Sequence, residues 1–248
     1  MKQRLLYLLL LLTLAGCSSG RDYSWGWYTV SPATDLGQRN LRFLADGFQA
    51  TVGVSLVALL LSISLGLIIA MLGLVQHPLP RFFSGVYIAI FRSVPVLVLL
   101  LWTYYGLPIS FGIELSVFAA GVLALALADS AFEAEVFRAG IQAVPDGQSE
   151  AAYSLGLSEW QTMRLVILPQ AIRHILPALG NQFVYMLKVS SLVSVIGLGE
   201  LTRRANELTV IQYRPLEIYT VLIIEYLILI LIVSFLVQRL EKRLRTQQ

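Results

Sequence analysis

Between Gly47 and Pro80 the chain carries no Asp, Glu, Lys or Arg. The same is true from Ser93 to Ile113, and from Ile218 to Gln238 the sole charge is Glu225. A helix crosses the hydrocarbon core of a bilayer with about 20 apolar residues. Backbone groups there find no water, so such runs must close their own hydrogen bonds as helices. Charged residues make up 13% of the chain, against about 25% in soluble domains. These features describe an all-α membrane protein and argue against a soluble core.

The same composition excludes other classes. Basic residues are scattered rather than gathered into a stripe with stacking aromatics, which argues against nucleic-acid binding. One cysteine cannot build a disulfide framework. His77 and His174 stand apart from other ligand-type residues, so no metal site is expected. No Gly-x4-Gly-Lys-Ser/Thr loop is present, so the chain is not expected to hydrolyse ATP. Gly197-x-Gly199 reads as a helix break.

The first residues form a unit of their own. Lys2 and Arg4 precede the apolar run Leu5 to Leu12, and Leu14-Ala15-Gly16-Cys17 follows. Residues 1–17 have the pattern of a secretory leader. They resemble the lipobox of bacterial lipoproteins, in which Cys17 would be lipidated. The other reading is an uncleaved helix in which Cys17 is an ordinary small apolar residue. Residues 18–46 are polar and aromatic-rich, and Trp25, Trp27 and Tyr28 are of the type found at membrane interfaces.

Five spans are expected after the leader, at about 48–74, 85–105, 113–134, 180–199 and 218–238. Ala119 to Ala128, built from small and aliphatic residues, suits close helix packing. The tail 241–248, with Arg239 just before it, holds the densest basic cluster, which the positive-inside rule places in the cytoplasm. Five spans then put residues 18–46 outside and the loop 135–178 inside. An uncleaved leader would add a sixth span without moving the others.

That loop is too long and patterned for a passive connection. Ser149 is placed to cap a short helix containing Glu150, Ala151, Ala152 and Leu155, which Gly156 would stop. Ser158 is placed to cap a second helix with Trp160, Met163, Leu165, Val166 and Leu168 on an apolar side, ended or kinked by Pro169.

The pattern Glu150-Ala151-Ala152, Gly156, Val166, Leu168-Pro169 resembles the EAA loop of permease subunits of bacterial ABC importers. The stretches 91–108, 131–183 and 187–205 are similar to the polar amino acid permeases, the histidine, glutamine and glutamate type. The resemblance covers about residues 48–240. It implies a type-1 importer transmembrane domain over 47–240 in the bacterial inner membrane. It also implies a second permease copy, a cytoplasmic ATPase dimer that uses ATP and Mg, and an extracytoplasmic amino acid-binding protein. Glu150, Ala151, Ala152, Leu155, Gly156 and Pro169 would then form the element that couples to the ATPase, while the permease binds no cofactor itself. Two departures stand out. Arg92-Ser93-Val94-Pro95 replaces Arg-Gly-Thr-Pro, and Lys188-Val189-Ser190-Ser191 replaces Lys-Asp-Thr-Ser, which leaves Lys188 without an acidic neighbour at 189.

Arg92, Asp129, Glu133, Lys188 and Glu225 fall in or at the ends of spans. Intramembrane charges are costly and often mark a pathway. Asp129 and Glu133 share one helical face, and Arg92 or Lys188 is a candidate counter-charge. These residues read either as a path for a zwitterion or as structural pairs between helices. Two other functional classes compete with the permease reading: a stand-alone secondary transporter or channel, and a lipoprotein scaffold with one anchor.

Overall fold

The computed structural model describes residues 23–245. The leader 1–17 with Cys17 and the end of the tail fall outside the described residues. Among those described there is no strand. Among the described residues four helices are long and apolar enough to cross a membrane, five if a bent pair is counted as one span.

Helix α1 (Asp35–Ala45) opens on Thr34, whose hydroxyl accepts the Gly37 N–H at 3.1 Å. It is amphipathic, with Gly37, Asn40 and Leu44 buried. Only Asp46 separates it from the first span, α2 (Gly47–Leu74).

The second expected span is broken. Helix α3 (Pro78–Ser93) meets the stretch Val96–Phe111, which begins with α4 (Val96–Leu101), at 99°. Pro95 has no N–H to continue α3 and drives Val94 to extended backbone, with φ −82° and ψ 125°. The expected stretch 85–105 is therefore two helices, starting earlier at Pro78 and bending at Val94-Pro95, just after Arg92. A π turn, Trp102–Gly106, leads into α5 (Leu107–Phe111). Gly112, at φ +67°, stops it.

Helix α6 (Val117–Gln142) is the centre of the bundle. At 1.5 Å per residue its 26 residues span about 39 Å, longer than the roughly 30 Å hydrocarbon core. It continues past 134, so residues 135–142 are helix and not loop. Its small residues let α2 approach closely: Ala120, Ala124, Ala128 and Ala131 are buried. A Cβ on Gly66 of α2 would lie 2.6 Å from Glu133 Cβ and 3.0 Å from the Ser130 carbonyl oxygen.

Helices α7 (Asp146–Ser154) and α8 (Glu159–Thr162) make the loop. A π turn, Met163–Ile167, carries α8 into α9 (Leu168–Val189), and a 3-10 turn extends it to Ile196. Pro169 therefore does not end the helix. It sits in the first turn of α9, where the wider π turn before it takes up the mismatch. The fourth span thus begins earlier than 180. Gly197, at φ +98°, closes it. Helix α10 (Leu201–Gln212), which has no counterpart among the expected elements, caps the bundle before the last span, α11 (Pro215–Arg245). Glu200 accepts the N–H groups of Thr202 and Arg203 at the start of α10 and the Tyr226 hydroxyl at 3.0 Å. Burial pushes its carboxyl up from the ordinary range, against the pull of those donors.

Candidate coupling loop and membrane carboxylates

Helix α7 starts at Asp146 behind Pro145, so Ser149 is an interior residue and not the cap. Its end follows the sequence reading. Gly156 is at φ +79°. The Leu157 N–H donates to the Ala152 carbonyl at 3.1 Å and the Gly156 N–H to that of Tyr153 at 2.9 Å. This is a Schellman closure, in which the left-handed residue satisfies carbonyls the helix leaves open. Ser158 then caps α8. Its hydroxyl accepts the Gln161 N–H, and Gln161 Oε1 accepts the Ser158 N–H at 2.9 Å. Such a reciprocal capping box fixes the direction of the chain just after the turn.

The helix pair is seated by few side chains. Ala152 is buried, and Val144 before α7 and Ile167 after α8 join Phe137, Ala171 and Ile175 in one buried cluster. Of the expected apolar side of the second helix, Val166 packs against that cluster while Trp160, Met163, Leu165 and Leu168 are exposed, as is Leu155 at the end of α7. Leu155 is 82% exposed, Trp160 69% and Leu165 61%. Glu150, Ala151 and Pro169 are also exposed. Apolar side chains presented on an otherwise polar, turn-rigidified loop are the usual mark of a docking surface.

Within the membrane, Asp129 and Glu133 are both buried on α6. The Ser62 hydroxyl is shared between the Leu59 carbonyl and Asp129 Oδ2, each at 2.9 Å, and the Gln182 amide donates to Asp129 Oδ1. Glu133 is fully buried, and neither of its carboxyl oxygens has a hydrogen-bond partner. The expected counter-charges are elsewhere. No ion pair joins either carboxylate to Arg92 or Lys188 among the described residues. Arg92 is exposed at the end of α3, with its guanidinium 5.2 Å from the Phe132 ring centroid. Lys188 is exposed, and Glu225 is half-buried on α11 with one buried, unpartnered oxygen. Five charged residues that sequence groups as one set are therefore spread over four helices.

A small cleft lined by Val96, Ala128, Asp129, Phe132, Tyr185 and Val189 takes in one of these positions, Asp129. Arg92 lies over Phe132, one of the lining residues, and Lys188 is not among them. Ser62 and Gln182 were not among the expected site residues, and no local motif marks either of them.

Residues 62–246 match the family model described as binding-protein-dependent transport system inner membrane component. The chain is 34% identical over 220 residues to the glutamine transport system permease protein of Escherichia coli K12, covering 88% of this chain and 97% of the relative. It is 32% identical over 204 residues to an arginine transport system permease protein of Bacillus subtilis, covering 82% and 93%. Among solved structures, an amino acid ABC transporter matches with a TM-score of 0.79 at 41% identity, covering 83% of this chain and 96% of that one. A methionine ABC transporter, at 20% identity and a TM-score of 0.71, shares the fold. The chain belongs to the inner-membrane component family of binding-protein-dependent transport systems.

Proposed function

We propose that this chain is the permease subunit of an ATP-driven importer, forming the path of a polar amino acid across the cytoplasmic membrane. It pairs with a second permease copy and receives substrate from an extracytoplasmic binding protein. ATP and Mg are used by a separate cytoplasmic ATPase dimer. The loop and tail face the cytoplasm, and α1 and α10 face outward. The observation that carries the reading is the α7–α8 turn, held by the Schellman closure and the capping box while Leu155 and Trp160 stand uncovered. A rigid turn with an unburied apolar face transmits the closure of a partner better than a flexible loop.

Asp129 is a candidate contact for the substrate class. A zwitterion needs an anion for its ammonium and a cation for its carboxylate. Asp129 offers the first, and the exposed Arg92, over the Phe132 ring, is a candidate for the second.

The test is a photo-crosslinker at Leu155 in the assembled complex, with the same probe at Tyr213 as control. A crosslink from Leu155 to the ATPase, absent from Tyr213, is the expected result. A functional complex with no Leu155 crosslink to the ATPase would remove the loop from its assigned role.

A further inference from the structure

Residues 23–34 lie before the stretch matched by the family model, which begins at 62. They carry no charged side chain, and they are clipped to the head of the last span. Glu217, buried in the first turn of α11, accepts the Tyr23 hydroxyl and the Gly26 N–H, each at 2.5 Å. Arg214 donates to the Ser24 carbonyl oxygen and lies 5.9 Å from the Tyr23 ring centroid. The fit is close, since a Cβ on Gly26 would come within 2.7 Å of Arg214 Nε.

Tyr23 is thus directed into the clip while the rings of Trp25, Trp27 and Tyr28 stay largely exposed. Trp25 is 61% exposed, Trp27 45% and Tyr28 54%, with Trp25 and Trp27 stacked at 5.7 Å. One residue before Arg214, Tyr213 ends α10 at φ +55° with its side chain 83% exposed. Glycine or asparagine adopts that backbone more easily than a bulky aromatic does, and so exposed a ring gains little from the rest of the chain.

We propose that Trp25, Trp27, Tyr28 and Tyr213 form an anchor in the headgroup zone of the bilayer, with zwitterionic lipid as the occupant. Trp and Tyr combine an apolar ring with a polar tip, which suits them to that depth. The clip hangs them on the first turn of a membrane span, and Leu216 and Ile223 continue the exposed apolar surface down that span. The strap carries no charged side chain that would select an anionic headgroup, which fits the zwitterionic class. The anchor fixes the height of α11 from outside the bundle. This inference rests on α11 being a span, not on the transport reading.

The test uses the full chain in phosphatidylcholine vesicles, with Trp102→Phe and Trp160→Phe leaving Trp25 and Trp27 as reporters. Lipids brominated near the headgroup should quench them more than lipids brominated near the chain ends. Glu217→Gln, which loosens the clip, should reduce that quenching and shift the emission to the red. Should the double variant not fold, the difference in quenching between the native chain and Trp25→Phe/Trp27→Phe reads the same quantity. Emission of a water-exposed indole that brominated lipid leaves unchanged would overturn the anchor. So would shielding from acrylamide that appears only when a binding protein is added.

Discussion

Replacing Gly156 separates backbone strain from crowding, because the two make different demands there. A Cβ would meet nothing within 4 Å, so the isolated subunit has room for a side chain. The cost lies in φ +79°, a backbone that costs an L-residue roughly 1–2 kcal/mol. That range corresponds to about a 5- to 30-fold shift of the turn toward conformations that re-aim α8. Asparagine tolerates the left-handed region best, alanine less well and a β-branched residue least. The expected order of activity is therefore Gly, Asn, Ala, Val, with Gly156→Val lowering the apparent affinity for the ATPase by up to about 30-fold. Gly156→Asp adds a second penalty, a charge placed in the docking surface, so it should fall below Asn despite a similar backbone preference. Insertion and detergent stability should stay near native throughout, since the turn is exposed and outside the spans. Uptake, co-purification with the ATPase and substrate-stimulated ATP hydrolysis on one reconstituted complex read the effect. Equal values for Val and Gly would refute the argument that the left-handed turn aims the loop.

Asp129→Asn keeps hydrogen-bonding atoms opposite Ser62 and Gln182 but removes the charge, so it should insert normally and lower uptake at least roughly tenfold, about 1.4 kcal/mol; unchanged uptake would take Asp129 out of the path. Gly66→Val forces a branched side chain against Glu133 and the Ser130 carbonyl and should cost at least about 1–3 kcal/mol. It should be seen as lost monodispersity in detergent, whereas Gly85→Val, whose Cβ meets nothing within 4 Å, should be close to neutral. Glu200 binds its proton more readily folded than unfolded, because burial raises its folded value. Its contribution is therefore full below the unfolded carboxyl range and declines as pH rises through the folded value. Apparent unfolding temperatures across that window should fall with pH in the native chain and flatten in Glu200→Gln; an identical slope in both would assign the pH dependence to other groups.

How far the sequence could be read depended on how local each signal was. Gly47–Leu74 was legible almost to the residue because its lack of charge is a property of the run itself. The break lies beside Arg92 and Ser93 at Pro95, where a proline marks a possible kink but not its angle. Residues 135–142 read as loop because Glu135 and Arg138 made them polar, yet those two form an ion pair three residues apart on α6. Helix α10 escaped for a similar reason, since its charges conceal that Leu201, Ala205 and Leu208 are buried. In the candidate site, Gly156 and Ser158 were visible because turn chemistry is written in adjacent residues. Ser62 and Gln182 were not, because they reach Asp129 across 67 and 53 residues of chain. Arg92 and Lys188 looked like partners for the carboxylates only because charge type, not position, is what a sequence shows.

The central claim is that transport through this chain is driven by an ATPase acting on its loop and fed by a binding protein. The most direct measurement is uptake of labelled glutamine, arginine, histidine and glutamate into proteoliposomes holding the permease and ATPase, with ATP and Mg enclosed and the binding protein outside. The account predicts accumulation of at least one of these amino acids that disappears when either ATP or the binding protein is left out. Uptake by the chain alone, driven by an ion gradient and indifferent to both, would contradict it.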